Sequence, residues 1–170
     1  MTTLQKYLAV LFASLALSTP LMAQDAAELG PRPDMAPQQT VEAMLRALQK
    51  NSDEGIAQLY RFSSPGNRAK TGPLERFAMM IRQGFPDLLG HKAARMAPPL
   101  IDGDRAMVPV ELMSRQQELS RYIFILSRQS LPECDGCWMA DAVVPPEALD
   151  PEGGFGGPET IEPPALDTPA

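Results

Sequence analysis

The chain has 170 residues, a formal charge of −6, 44% hydrophobic residues, two cysteines and one histidine. This length accommodates one globular domain with accessory segments, and the acidic charge has the wrong sign for binding nucleic acid through phosphates. Two cysteines are too few for a disulfide-dense scaffold or for a zinc site built by one chain, so we expect no metal and no cofactor.

The N-terminus has the pattern of a secretory signal peptide. Lys6 precedes an apolar run over residues 7–17, which is followed by Pro20 and by the small residue Ala23. We therefore expect residues 1–23 to be removed on export, which places the protein in the periplasm or outside the cell, away from the membrane. The alternative is a retained membrane anchor, but an anchor needs about 20 apolar residues.

The composition changes sharply at both ends of the remaining chain. Residues 24–36 hold three acidic residues, two prolines and a glycine, and are predicted to be an extended linker. Residues 145–170 hold seven prolines, four glycines and six acidic residues without Lys or Arg, and are predicted to be a disordered tail. Residues 37–144 have thirteen basic and twelve acidic residues, so the acidity belongs to the ends.

Three helices are predicted at the start of the 37–144 domain. Apolar residues recur there three or four positions apart in each of three segments, as they do on one face of a helix. Residues 62–67, rich in Ser, Pro, Gly and Asn, are predicted to be a loop between the second and third helices. The inward-facing residues are Val41, Met44, Leu45 and Leu48; Ile56, Leu59 and Tyr60; and Leu74, Phe77 and Ile81.

The second half of the domain changes to a strand pattern. Asp102-Gly103 is a hairpin signal, and Pro109 indicates an edge strand or a bulge. Helices followed by a meander of four strands favour an α+β fold, with the helices on one face of the sheet. The predicted strands are residues 91–98, 105–113, 121–128 and 138–144.

The strand over residues 121–128 is apolar on both of its faces. Phe124 and Leu126 belong to one alternating set, and Ile123 and Ile125 belong to the other. A sheet with one solvated face alternates apolar with polar residues, so this sheet is predicted to be covered on both faces. We expect the outer face to pack against a second copy in a homodimer; the alternative is that residues 35–36 or 85–90 cover it.

Four motifs resemble a known bacterial family. They are Phe62-Ser63-Ser64-Pro65-Gly66-Asn67, Thr71-Gly72-Pro73-Leu74-Glu75-Arg76-Phe77, Leu126-Ser127-Arg128-Gln129 and Cys134-Asp135-Gly136-Cys137-Trp138-Met139. Together they resemble the domain of unknown function 4864 family, a branch of the nuclear-transport-factor-2-like superfamily, over residues 38–144. The resemblance implies three helices on a curved, mostly antiparallel sheet that form a cone with a pocket, and a dimer. It implies no activity, because that superfamily contains both enzymes and binding modules.

Cys134 and Cys137 are separated by two residues, and in an exported protein they are expected to form a structural disulfide. The alternatives are a thiol–disulfide redox centre and a metal site. Redox activity needs a stabilised thiolate, which the neighbouring Glu133 and Asp135 disfavour. A metal would need two more ligands, and His91 alone does not complete the set.

Two residues are candidates for proton transfer, Asp141 and His91. On regular alternation Asp141 shares a strand face with Met139 and Val143, while Trp138 belongs to the other face. If that first face lines the pocket, Asp141 is a carboxylate among apolar side chains and a candidate base. The simpler alternative for Asp141 is that it pairs with an arginine or is exposed to solvent. The simpler alternative for His91 is a structural role.

Tyr60, Arg61 and Phe62, at the end of the second helix, and Trp138 are candidate ligand contacts, because aromatic and arginine side chains commonly line pocket mouths. Helix capping and core packing are the alternative roles. The function predicted overall is non-catalytic binding of a small apolar or mixed ligand, or of a protein partner. The other candidates are an isomerase or dehydratase that uses Asp141 or His91 as its base, and a thiol–disulfide accessory protein.

Overall fold

The computed structural model describes residues 30–149. The predicted signal peptide lies outside the described residues, as do residues 24–29 of the predicted linker and residues 150–170 of the predicted tail. Among residues 30–149, none of the helices combines the length and the apolar composition that crossing a lipid bilayer requires.

Four helices precede the sheet, where the sequence predicted three. Helix α1 spans Pro37–Gln49, α2 spans Asp53–Arg61, α3 spans Pro65–Thr71 and α4 spans Leu74–Gly84. A short 3₁₀ helix at Pro86–Leu88 follows α4. The apolar stripes predicted for the three longer helices are buried or packed against the core.

The additional helix, α3, lies in the segment predicted to be a loop, and that part of the prediction is wrong. Ser64 caps the helix, because its hydroxyl oxygen accepts a hydrogen bond from the backbone N–H of Asn67 (3.1 Å). Pro65 occupies the first helical position, where its missing N–H costs nothing. The same Ser-Pro-Gly-Asn residues that indicate a turn therefore start a helix of two turns.

The sheet has five antiparallel strands, one more than predicted. They are β1 (Ala93–Met96), β2 (Leu100–Asp102), β3 (Arg105–Met113), β4 (Leu119–Leu131) and β5 (Cys134–Val144). The strand order is β1-β3-β4-β5, and β2 pairs with the same edge of β3 as β1 does.

Two adjacent prolines explain why the predicted first strand is divided. Pro98 and Pro99 have no N–H to donate to a neighbouring strand, so the pairing stops between β1 and β2. Pro109 of β3 lies opposite this gap, and its carbonyl oxygen accepts from the N–H of Ala97 (2.9 Å). The nitrogen of Pro109 faces the same gap, so the absence of its N–H breaks no hydrogen bond between strands. An interior strand therefore accommodates a proline that was predicted to lie in an edge strand or a bulge.

The two faces of the sheet have different surroundings. The inner face, which carries Val108, Phe124 and Leu126, is buried under the helices and forms the core. The outer face, which carries Met107, Ile123 and Ile125, is half-buried. The predicted α+β class, with helices on one side of a curved antiparallel sheet, is confirmed.

Short segments just outside the predicted domain also contact it. Met35, from the predicted linker, is buried in the core with the helices. Pro146–Ala148, from the predicted tail, form a 3₁₀ turn that contacts β4. Met35 and Leu88 both belong to the core cluster, so they do not provide the alternative cover for the outer face.

Candidate ligand-binding pocket

The helices are joined to the sheet through the backbone of Ala140 in β5. The N–H of Ala140 donates to the carbonyl oxygen of Phe62 (2.7 Å), and its own carbonyl oxygen accepts from the N–H of Ser64 (2.9 Å). The side-chain amide of Asn67 donates to the same carbonyl oxygen (3.1 Å). Ala140 is therefore held from the edge of the sheet by the loop that precedes α3.

A β-bulge lies directly after this junction. Leu126 of β4 pairs with Ala140 and Ile125 pairs with Ala142, so Asp141 is an extra residue in β5 without a partner in β4. A bulge bends the strand and re-aims the side chain of the extra residue. Asp141 is half-buried and lines the space between the sheet and the helices.

The bulge corrects the faces predicted for β5. Ala140 and Val143 pair with the inner-face residues Leu126 and Phe124, whereas Met139 pairs with Ser127 on the outer face. Regular alternation placed Met139, Asp141 and Val143 together, and this grouping is wrong because one inserted residue reverses the alternation beyond it. Asp141, the extra residue of the bulge, lines the cavity on the inner side although Met139 does not.

A cavity of about 400 Å³ lies between the helices and the inner face of the sheet. Its walls are almost entirely apolar, and small side chains at Ser63 and Ala140 leave space on the side of the sheet. The larger apolar residues that line it are Met44, Leu48, Leu59, Phe77, Met80, Ile81, Phe85, Leu88, Phe124 and Val143. Cavities of this size and composition are typical of small-molecule sites.

The polar lining of the cavity comes from α3 and from the bulge. Asn67, Lys70, Thr71 and Asp141 all contribute to it. The hydroxyl of Thr71 donates to the carbonyl oxygen of Asn67 (2.9 Å), and the Asn67 amide is bound to Ala140. Lys70 and Asp141 are charged, and neither forms an ion pair within residues 30–149. The site therefore combines an apolar interior with two unpaired charges of opposite sign.

Tyr60, Arg61 and Phe62 support this site without lining the cavity. The Tyr60 hydroxyl donates to the carbonyl oxygen of Gly72 (2.9 Å) and thereby holds the junction between α3 and α4. The guanidinium of Arg68 lies over the Tyr60 ring and donates to the carbonyl oxygen of Arg61 (2.9 Å). Phe62 is fully buried in the core. These three residues position the α3 segment that carries the polar lining.

Trp138 and His91 are also outside the cavity. Trp138 is buried in the core, and the guanidinium of Arg128 lies over its ring. His91 is buried, with its ring Nδ1 2.9 Å from the carbonyl oxygen of Leu88. A carbonyl oxygen only accepts, so Nδ1 is the donor in this bond. The structure thus brings Asp141 to the cavity and leaves His91 in a packing and hydrogen-bonding role.

Cys134 and Cys137 form a disulfide at the start of β5, just after the turn that follows β4. Gly136, between them, is the unpaired residue of a second β-bulge, and its φ of +80° suits a glycine at that position. Cys137 is fully buried, and the Cys134 sulfur lies 3.3 Å from the carbonyl oxygen of Pro31. The disulfide is separate from the cavity, and burial of Cys137 leaves Cys134 as the sulfur accessible to an attacking thiol.

Several residues of the cavity were not identified from the sequence. Lys70, Met80, Phe85 and Leu88 come from α3, α4 and the 3₁₀ helix. The helical spacing of Phe77 and Ile81 located the face of α4 that packs inward, but not the space that this face leaves open. Residues 30–149 contain no group of three or more His, Cys, Asp or Glu side chains arranged to hold a metal ion.

The chain is similar in fold to a solved structure from Campylobacter jejuni, a protein provisionally named an NTF2-like transpeptidase. The two are 12% identical, the match covers 64% of this chain and 99% of that chain, and the TM-score is 0.42. No curated protein matches the sequence. The profile of the family described as domain of unknown function (DUF4864) matches residues 33–151, as the four sequence motifs predicted. Because this match covers well over half of the chain, the protein belongs to the DUF4864 family.

Proposed function

We propose that the domain binds a small, largely apolar ligand in the cavity between its helices and its sheet, without catalysing a reaction. The observation that carries this proposal is the cavity itself, with about 400 Å³ of space and nearly continuous apolar walls. Protein interiors are close-packed, and apolar surface that faces an unfilled space loses contacts. A ligand of matching shape restores those contacts and removes apolar surface from water.

The polar groups of the cavity favour binding over catalysis. An isomerase or dehydratase needs a base together with a donor that polarises a carbonyl group. Asp141 is available as a base, but the Thr71 hydroxyl and one hydrogen of the Asn67 amide are directed to backbone carbonyl oxygens, and the remaining charged donor, Lys70, is exposed. His91, the other candidate base, does not line the cavity. These contacts support the proposal of a binding site.

Blocking the mouth of the cavity tests this proposal. Met80 lines the cavity and is half-buried, whereas Met79, its neighbour in α4, is 56% exposed and does not line it. We expect the neutral fluorophore N-phenylnaphthylamine to bind saturably to the wild type and to Met79→Trp. Met80→Trp fills the space and is expected to weaken binding by about tenfold, which corresponds to roughly 1.4 kcal/mol.

Met79→Trp is the matched control, because it adds the same indole to the same helix. Fluorescence titration gives the dissociation constant, and circular dichroism checks that both variants fold. The proposal fails if the wild type shows no saturable binding, or if a folded Met80→Trp variant binds the fluorophore as tightly as Met79→Trp does.

We also propose that the outer face of the sheet packs against a second copy of the chain. Met107, Pro109, Ile123, Ile125 and Val144 form an apolar centre on this face. At one end of it the Arg121 guanidinium pairs with the Glu111 carboxylate (2.9 Å), so both signs of charge border the apolar centre. A mixed border of this kind suits an interface between two identical surfaces related by a two-fold axis.

We propose, in addition, that the protein acts in the periplasm or outside the cell. The signal-peptide pattern of residues 1–23 and the Cys134–Cys137 disulfide support this location, since disulfides persist in oxidising compartments. Intact-mass measurement on protein isolated from its own host tests the proposal. We expect a chain that begins at Gln24 and lacks the two thiol hydrogens; a full-length, reduced chain would contradict the proposed location.

A further inference from the structure

We propose that Asp141 makes the cavity selective for apolar ligands that carry an ammonium group. This inference rests on the proposed ligand-binding function and specifies the ligand class. Asp141 is a carboxylate on the wall of an otherwise largely apolar cavity, and a β-bulge places it there.

The backbone beside Asp141 is fixed more firmly than is usual at a strand edge. Ala140, the preceding residue, is hydrogen-bonded to Phe62 and Ser64 on the side away from β4, and it also accepts from the Asn67 amide. An aspartate side chain is short, so it has little freedom to turn away from a ligand once its backbone is held. The carboxylate is therefore a fixed charge at the edge of the binding volume.

The Asp141 carboxylate also has no cation of its own. Within residues 30–149, no Lys, Arg or His nitrogen lies within 4.0 Å of it. A ligand that fills the cavity displaces water from this carboxylate, and loss of hydration is costly unless the ligand donates a hydrogen bond in return. An ammonium group supplies both the donor and the opposite charge, whereas an alcohol supplies only a donor and a carboxylate supplies repulsion.

Lys70 is the competing charge in the site. It lies at the cavity mouth and is exposed, so its long side chain can move its ammonium group into water at small cost. Asp141 is half-buried on a fixed strand and has no such escape. The fixed carboxylate therefore determines the preferred charge of the ligand.

Three ligands with the same chain and different head groups test this inference. Decylammonium, decanol and decanoate have alkyl chains that fit a cavity of about 400 Å³, since a water-sized group occupies about 30 Å³. Titration calorimetry at neutral pH, below the concentrations at which the compounds form micelles, gives the three dissociation constants. We expect decylammonium to bind about tenfold more tightly than decanol, as a charge-assisted hydrogen bond allows, and decanoate to bind most weakly.

Two substitutions in β5 identify the residue responsible. Asp141→Asn keeps the size of the side chain and removes its charge, so decylammonium should lose its roughly tenfold advantage over decanol. Asp135→Asn is the matched control, because Asp135 is exposed in the same strand and does not line the cavity. Lys70→Gln removes the competing cation and is expected to tighten decylammonium binding by a smaller factor.

The outcomes separate this inference from the proposed function. If none of the three compounds binds, the proposed ligand-binding function fails and the inference fails with it. If decanol or decanoate binds as tightly as decylammonium, the cavity is a binding site but its selectivity for ammonium is overturned. The inference is also overturned if the preference for decylammonium persists undiminished in Asp141→Asn.

Discussion

The two faces of the sheet differ in how their apolar residues are covered. Alternate residues of β4 face opposite sides, and both sets are apolar between residues 122 and 126. On the inner face, Phe124 and Leu126 are completely buried. On the outer face, Ile123 and Ile125 are half-buried, and they border other apolar side chains instead of a helix layer.

This difference shows that the same sequence pattern has two structural outcomes. The apolar residues of the inner face are covered within the domain, because the helices pack against them. This cover is incomplete, because small side chains at Ser63 and Ala140 leave a cavity between the sheet and the helices. The helices do not cover the outer face, so Ile123 and Ile125 remain partly exposed there and available for association.

The largest expected effect concerns the inner face. Leu126→Ala removes a fully buried side chain and is expected to lower the free energy of unfolding by about 2–5 kcal/mol. Ile125→Ala, the adjacent outer-face substitution, removes only half-buried surface and is expected to cost about 1 kcal/mol. Urea denaturation at low protein concentration measures both values.

Low concentration matters for this comparison because association would bury Ile125 as well. Equal losses for the two variants under dilute conditions would show that the outer face is covered within a single chain. The distinction between the two faces would then be wrong.

The second prediction concerns the end of the sheet where β4 turns into β5. Replacing Cys134 and Cys137 by Ala removes a cross-link around a very short loop, which is expected to lower the free energy of unfolding by about 2 kcal/mol. Urea denaturation with and without reductant provides the control. Reductant should destabilise the wild type by a similar amount and leave the double variant unchanged; a wild type as unstable as the variant would contradict a structural role.

The helical stripes and the strands could be predicted from the sequence because periodicity is a local property. Val41, Met44, Leu45 and Leu48 follow the helical period and are all buried in α1. The short helix α3 was missed because Pro65, Gly66 and Asn67 are typical turn residues, and its Ser-Pro start is a weaker signal. The division between β1 and β2 was indicated by Pro98 and Pro99, which the prediction included in one strand.

The cavity was less predictable because it depends on relations between distant segments. The bulge at Asp141 arises where β5 pairs with both β4 and residues 62–64, and no pattern within β5 predicts it. Regular alternation therefore assigned Met139 to the wrong face. The available signal is the small residue Ala140, which pairs with the bulky Leu126, but identifying a cavity from this pair requires the tertiary arrangement.

The third prediction tests the outer face directly. Ile125→Lys places a charge in its apolar centre and is expected to weaken self-association by about tenfold or more, equivalent to at least about 1.4 kcal/mol. Sedimentation equilibrium over a range of concentrations measures the association constant. Met79→Lys, on an exposed position of α4, introduces the same charge and should leave association unchanged. A wild type that remains monomeric at all concentrations would refute the proposed interface.

The smallest expected effect is a pH dependence at the edge of the inner face. Burial raises the pKa of the Tyr122 hydroxyl above its ordinary value of 10.0, and the nearby Asp87 and Glu147 carboxylates raise it further. Because the folded pKa exceeds the unfolded one, the stability that comes from protonated Tyr122 is fully present below about pH 10 and is lost as the pH rises through the folded pKa.

Tyr122→Phe removes this ionisation while keeping the ring. Urea midpoints measured over a pH series should change in parallel for the two proteins up to about pH 10. Above that pH, the wild type should lose stability more steeply than the variant, because ionisation of the tyrosine favours its unfolded chain. Parallel curves across the whole alkaline range would show that water reaches Tyr122 freely, and that the helices do not shield this end of the inner face.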